Sequence, residues 1–489
     1  LHSAGILAYQ LPWLLRVRIN PMRYLIVIII LITAWTVLAQ EEEMDEKTTR
    51  QSALSPLAVC SNGHFLIRED GTPFFWLGDT GWFLSTRSPE EVRLYMEDRA
   101  AKGFNVIQMM AIRTSMRTRE LTKNYRGDLP FDDLNPVQFN ENYWQHLDFI
   151  VDEAARNGLY IALFSMWGRD VDSLFPDPDR NNYLYTSTLA QRYRDRSHVL
   201  FAVCGEYEKI RDDWETDSQI TDPMRDQIRR LAQGMDDHRE RHNLMTIHPI
   251  LTSSRDFHSD SWLDFNMQQT WGHIIPDIKR IREDFHRVPT KPVLNGEPGY
   301  ENRPQGDCPA WHLRLEGYWS VFSGAFGFTY GAHKVWRFEP GWEEALDYQG
   351  AGQMRHLRAL MDSRPCLDRI PDPDIVTSDP GSMSKENPTY CVATRAQDGS
   401  FLFVYTPRGN GFQVDMTKLS GTQVHGWWYS PRDGLCYDAE GRPTDRPFGS
   451  YPVQATRQFS PPGPSGEGRD WVLILEDSTK AKKDLPEVY

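Results

Sequence analysis

The sequence is poor in cysteine, with six among 489 residues and no Cys-x-x-Cys pair. That excludes zinc-ribbon and thioredoxin-type readings. It carries no Walker loop, no Gly-x-Ser-x-Gly and no dinucleotide fingerprint after a strand. Positive charge is in deficit: 54 Lys and Arg face 68 Asp and Glu, for a net charge of −14. Nucleic acid and anionic membrane surfaces are poor partners for such a chain. No repeat of fixed period is present. His238-Arg-Glu-Arg-His242 has two histidines at i,i+4, but Arg239 stands where a zinc-protease helix needs glutamate. No metal and no other cofactor is expected.

Aromatics are abundant, at 16 Trp, 20 Tyr and 23 Phe. They suit stacking on sugar rings and a large core equally well. More informative are two glutamates, each closing a short apolar run: Leu200-Phe-Ala-Val-Cys-Gly-Glu206 and Pro292-Val-Leu-Asn-Gly-Glu297. Both runs read as buried parallel strands. Either glutamate alone is as well explained by a solvated strand-to-loop junction. As a pair at two strand ends of one barrel, they match glycoside hydrolysis, in which one carboxyl donates a proton and the other attacks or stabilises the sugar cation.

The chain exceeds one core in length, so two domains are expected. Met22–Ala39 has a basic start, an apolar stretch and a Val37-Leu-Ala39 end, the pattern of an export signal. Residues 1–21 read as an over-extension upstream of a start at Met22. A retained anchor is the alternative to cleavage. Residues 40–59 read as a flexible leader, 60–364 as a barrel domain, 365–478 as an all-β sandwich and 479–489 as a polar tail.

In the barrel region strand candidates alternate with helices. The strands are Phe74–Asp79, Val106–Ala111, Tyr160–Trp167, Leu200–Glu206, Met245–His248, Phe265–Thr270, Pro292–Glu297 and Gly327–His333. Ser88 caps a helix with Pro89 at its first position and Gly103 beyond its end; Trp144–Asn157 is a second clear helix. Eight such units make a (β/α)8 barrel, whose strand C-termini carry the chemistry. Glu206 and Glu297 then close strands four and seven.

Other groups on that face are candidate sugar binders: Asp79, Trp82, His248, Gln268, Gln269, His273, Tyr330, His333 and Trp336. Asp79 serves equally as a turn cap, and a lone histidine is more often structural. Glu208 is the rival to Glu206 for the acid role. Asp170, Asp172, Glu301 and Glu339 read as solvated loop acids.

Phe75-Trp-Leu-Gly-Asp-Thr, Lys102-Gly-Phe-Asn-Val-Ile-Gln, Pro292-Val-Leu-Asn-Gly-Glu-Pro and Phe328-Thr-Tyr-Gly-Ala-His together resemble the apiosidase-like catalytic domain family, glycoside hydrolase family 140. The region after it resembles the collagen-binding-type β domain that commonly follows. The resemblance implies a bacterial exported enzyme on a (β/α)8 barrel that releases apiose from pectic side chains. It implies Glu297 as nucleophile. The acid/base, an aspartate after glycine in the family, falls on Glu206, a longer carboxylate. The expected function is therefore retaining hydrolysis of a glycosidic bond. The alternative is a non-catalytic glycan-binding or adhesion protein on the same barrel.

Overall fold

The computed structural model describes residues 54–115, 120–208, 220–270, 278–304, 308–384 and 386–480. The export signal, leader residues 40–53, His273 and tail residues 481–489 lie outside them. Among the described residues no helix is long and apolar enough to cross a membrane.

Eight parallel strands form a nearly closed barrel. In chain order they are Trp76–Thr80, Val106–Met110, Tyr160–Phe164, Val199–Gly205, Met245–His248, Asn266–Gln269, Val293–Glu297 and Gly327–Tyr330. Strand one pairs with strands two and eight, and the ladder is open only between five and six. There single bonds bridge the gap, Asp264 N to Met245 O and Thr246 Oγ1 to Phe265 O, both at 2.9 Å. Each strand is buried along its whole length, which is why it reads as an apolar run rather than an alternation. Inward residues such as Trp76, Met110, Phe164 and Met267 fill the barrel, while Ile107, Met109, Leu163 and Val203 face the helices.

A helix follows every strand: Pro89–Ala101, Glu141–Arg156, Pro178–Tyr193, Asp222–Asp236, the short Ser254–Phe257, Ile278–Phe285, Ala310–Phe322 and Gln349–Asp362. Ser88 and Glu91 form a reciprocal capping box at the first. The second begins at Glu141, not Trp144, because Asn140 caps it.

The floor of the barrel is covered by a three-stranded antiparallel sheet, Leu57–Val59, Leu66–Arg68 and Pro73–Phe74. Asp70-Gly71 forms its second turn, between Leu66–Arg68 and Pro73–Phe74. Residues 57–59 correct the expectation of a flexible leader up to 59: Leu57 is buried with Phe65, Leu66 and Phe74 in the barrel-interior cluster. Their apolar pattern was masked in the sequence by the acidic stretch before them.

The C-terminal region is one large antiparallel sheet and a two-stranded ribbon, Phe412–Asp415 with Thr456–Phe459. At the centre of the large sheet, Trp471–Asp477 pairs with Phe401–Thr406 and Gln423–Tyr429. One face, with Leu402, Val404, Trp428 and Leu473, packs on the ribbon. The other joins the outer core of the barrel. There Tyr405 stacks on Tyr318 at 4.8 Å and Phe403 on Phe322 at 6.0 Å, both partners lying on helix Ala310–Phe322. The buried guanidinium of Arg314, on the same helix, donates to both carboxylate oxygens of Asp470 at 2.8 Å. The sheet is thus an outer layer of the barrel rather than a tethered module. All six cysteines are buried free thiols.

Removing Arg314 takes from the buried Asp470 its bidentate partner and leaves it Tyr405 Oη at 3.3 Å and Arg432 Nη1 at 3.4 Å, at a cost of up to about 3–5 kcal/mol. Arg314→Met should lower stability by that order, with barrel and sheet still unfolding together in one denaturant transition. A separate transition for the sheet would contradict this packing.

Candidate active site

Glu297 ends strand seven with its side chain buried in the barrel mouth. One oxygen, Oε1, accepts a hydrogen bond from Tyr300 Oη. The Tyr300 hydroxyl in turn accepts from Trp82 Nε1 at 3.0 Å. The other oxygen, Oε2, lies 2.6 Å from His248 Nε2, and His248 Nδ1 lies 2.8 Å from Pro249 O. A carbonyl and a carboxylate can only accept, so the ring satisfies both by donating from both nitrogens, as imidazolium. Burial opposes that charge, but the Glu297 hydrogen bond and charge, with help from Glu206, leave the His248 pKa raised.

Glu206 follows strand four with φ of +43°, a left-handed conformation that costs a non-glycine residue energy and persists only where the surroundings dictate it. Gly205, just before it, packs tightly on Trp167. A Cβ there would come within 2.7 Å of the Trp167 ring, so only glycine lets strands three and four close under the carboxylate. Gln269 Nε2 donates to Glu206 Oε1 at 3.2 Å. Burial first, then the Glu297 charge, raise the Glu206 pKa above the usual carboxylate value; His248, Gln269 and Arg113 oppose the rise. A cleft of about 1200 Å³ opens in front of it, walled by Trp167, Asp170, Thr114, Leu121 and Tyr207.

The other expected site residues divide. Trp82, His248 and Gln269 touch the carboxylate network. Trp336 joins it indirectly, stacked on Tyr300 at 5.4 Å with the planes 9° apart. His333 sits half-buried on the loop after strand eight, its amide bonded to Glu301 O. Three residues turn away. Asp79 accepts from Tyr95 Oη at 2.6 Å and lies 3.6 Å from Arg99 Nη1, both on the first barrel helix; burial raises its pKa to about 6. Gln268 donates to Asp284 at 2.8 Å, and Tyr330 to Glu301 at 2.5 Å. These bonds hold helices and loops to the outside of the barrel. His273 lies outside the described residues.

Glu208, the rival acid, is buried, and burial raises its pKa to about 7. Its oxygens are taken by the Ile250 amide at 2.7 Å and Arg255 Nη2 at 3.2 Å, so it ties the loops after strands four and five together. Asp170 and Glu301, expected to be solvated, are buried: Asp170 accepts from Thr114 Oγ1 at 2.7 Å, Glu301 from Tyr330.

Sequence reasoning missed Tyr300, Trp167 and Arg113. Arg113 lies buried over Phe83 at 3.9 Å and Trp167 at 5.4 Å. Burial, then Arg169 and Arg337, lower its pKa to about 10. Its signal was a charge directly after the apolar run of strand two. Tyr300's signal was its place three residues past Glu297. Among the described residues no group of three or more His, Cys, Asp or Glu is arranged to hold a metal ion.

Two carboxyls at neighbouring places in the barrel mouth, one beside an imidazolium and a phenol and the other with its pKa raised by burial, can supply a nucleophile and an acid. The chain is similar to known glycoside hydrolases. Residues 60–368 match the apiosidase-like catalytic domain, and residues 370–476 match the family described as "Putative collagen-binding domain of a collagenase". A solved glycoside hydrolase is 29% identical with a TM-score of 0.75, over 87% of this chain and 98% of that one. A glycoside hydrolase family 5 structure from Bacteroides vulgatus ATCC 8482 is 28% identical with a TM-score of 0.77, over 89% and 96%. No curated protein matches the chain. The protein is a glycoside hydrolase with a carbohydrate substrate, and it belongs to the apiosidase-like catalytic domain family.

Proposed function

We propose that this glycoside hydrolase works with retention, with Glu297 as nucleophile and Glu206 as acid/base. The observation that carries this reading is the placement of the two carboxyls: Gln269, the ladder partner of Glu297, donates to Glu206 at 3.2 Å, and Glu297 is held by Tyr300 and His248; burial and then the Glu297 charge raise the Glu206 pKa. Glu297 attacks the anomeric carbon as Glu206 protonates the departing glycosidic oxygen, giving a covalent glycosyl-enzyme. Forming the ester removes the Glu297 charge. Glu206 then loses the neighbour that kept its proton on, and serves as base for the incoming water. Retention requires carboxyls about 5–5.5 Å apart.

The substrate proposed is a side chain of plant cell-wall pectin, with apiose as the released sugar. Support comes from the family and from Glu297 at its nucleophile position. Glu206 in place of the family's aspartate puts a carboxyl one methylene longer at the acid position. The segment Met22–Ala39 supports export from a bacterial cell, which suits a polymeric substrate.

Sugar release from a panel of pectic and other plant glycans by residues 40–489 tests the reading. Glu297→Gln should abolish release while the melting transition stays cooperative. If the variant keeps most of the activity, Glu297 is not the nucleophile.

The raised Glu206 pKa sets the alkaline limb of kcat/KM. The acid must be protonated, so activity persists above the ordinary carboxylate range and falls as pH rises through the Glu206 pKa. Glu206→Gln should lower kcat/KM on the order of 10²–10⁴-fold and remove that limb. An unchanged alkaline limb in the variant would assign the acid elsewhere.

A further inference from the structure

Glu316 is a fully buried carboxylate on helix Ala310–Phe322 that the two-carboxylate chemistry does not use. Its Oε2 accepts the Gly299 amide at 2.8 Å. Its Oε1 lies 3.2 Å from His312 Nε2, one turn earlier on the helix. Pro298 has no amide to donate, so Gly299 provides the first N–H after the nucleophile. The next side chain is Tyr300, whose hydroxyl reaches back to Glu297.

The far side of this short segment is fixed as well. A Cβ on Gly331 would stand 2.1 Å from the Tyr300 ring, so the backbone of the loop after strand eight lies directly against it. Glu301 N donates to Gly331 O at 2.9 Å. The helix that carries Glu316 is locked in turn, by the Arg314–Asp470 pair and the Tyr318–Tyr405 stack.

We infer that Glu316 is a positioning residue for the nucleophile: it fixes Gly299, and through it the Tyr300 hydroxyl against Glu297, so that the C-terminal sheet, by bracing the helix, takes part in the geometry of catalysis. The role rests on Glu297 acting as nucleophile. An anchor of this kind acts on the reacting geometry rather than on substrate contacts, so it moves kcat and leaves KM.

The test uses the full chain with E316L, E316Q, Y300F and the double variant E316L/Y300F. Two quantities are read: kcat and KM on whichever glycan the wild type cleaves, and amide exchange of residues 297–301 by mass spectrometry. E316L should lose about 100-fold in kcat with KM nearly unchanged. E316Q, which keeps an oxygen acceptor, should recover most of that loss. Because the effect runs through Tyr300, the double variant should be little worse than Y300F alone. E316D, which withdraws the acceptor by one methylene, replaces E316L if the latter does not fold. Wild-type kcat in E316L, equal losses in E316L and E316Q, or losses that multiply with Y300F would overturn the role. If the wild type cleaves no glycan, the proposed function fails and the exchange measurement still decides the anchor. Faster exchange at 297–301 in E316L but not E316Q supports it; unchanged exchange in E316L overturns it.

Discussion

A carboxylate buried at the end of a barrel strand has to be hydrogen-bonded, or its charge is too costly to keep. Glu297 meets that constraint with Tyr300 on one oxygen and His248 on the other, and Trp82 behind Tyr300. Each of these partners comes from a different part of the barrel rim: Trp82 follows strand one, His248 ends strand five and Tyr300 follows strand seven. The closure of the barrel is what brings them to one point. Their arrangement also acts on Glu206, because, after burial, the Glu297 charge raises the pKa of that carboxyl.

The C-terminal sheet belongs to the same construction. Its inner face is apolar and aromatic, and it covers a helix that would otherwise present Tyr318 and Phe322 to solvent. A free binding module would need a polar outer surface there. Buried ion pairs at this seam, Arg314 with Asp470 and Arg364 with Glu476 at 3.0 Å, are poor sources of net stability but strict about geometry. Such a seam suits a domain whose task is to keep a barrel helix in one position.

Much of this was legible in the sequence because buried parallel strands are written as apolar runs. All eight strands, and the glutamates closing four and seven, follow from that pattern. What the pattern does not carry is which way a polar residue faces at a strand end. Gln268 and Gln269 are neighbours of one type, yet one holds a helix outside the barrel and the other touches Glu206. Asp79 and Tyr330 were misplaced for the same reason, since side chains alternate and a shift of one residue exchanges the faces. Tyr300 and Arg113 lie beyond the strand ends, where local sequence says little about direction. Glu208 lies two positions from Glu206, but the left-handed turn at Glu206 sends it into the loop network instead of the same face.

The most direct test of the central claim is the anomer first released, read by proton NMR in the opening moments of turnover before mutarotation. Attack by Glu297 followed by attack of water inverts the anomeric carbon twice, so the account predicts a product with the configuration of the substrate. A product of opposite configuration would mean a single displacement by water, with Glu297 as base rather than nucleophile.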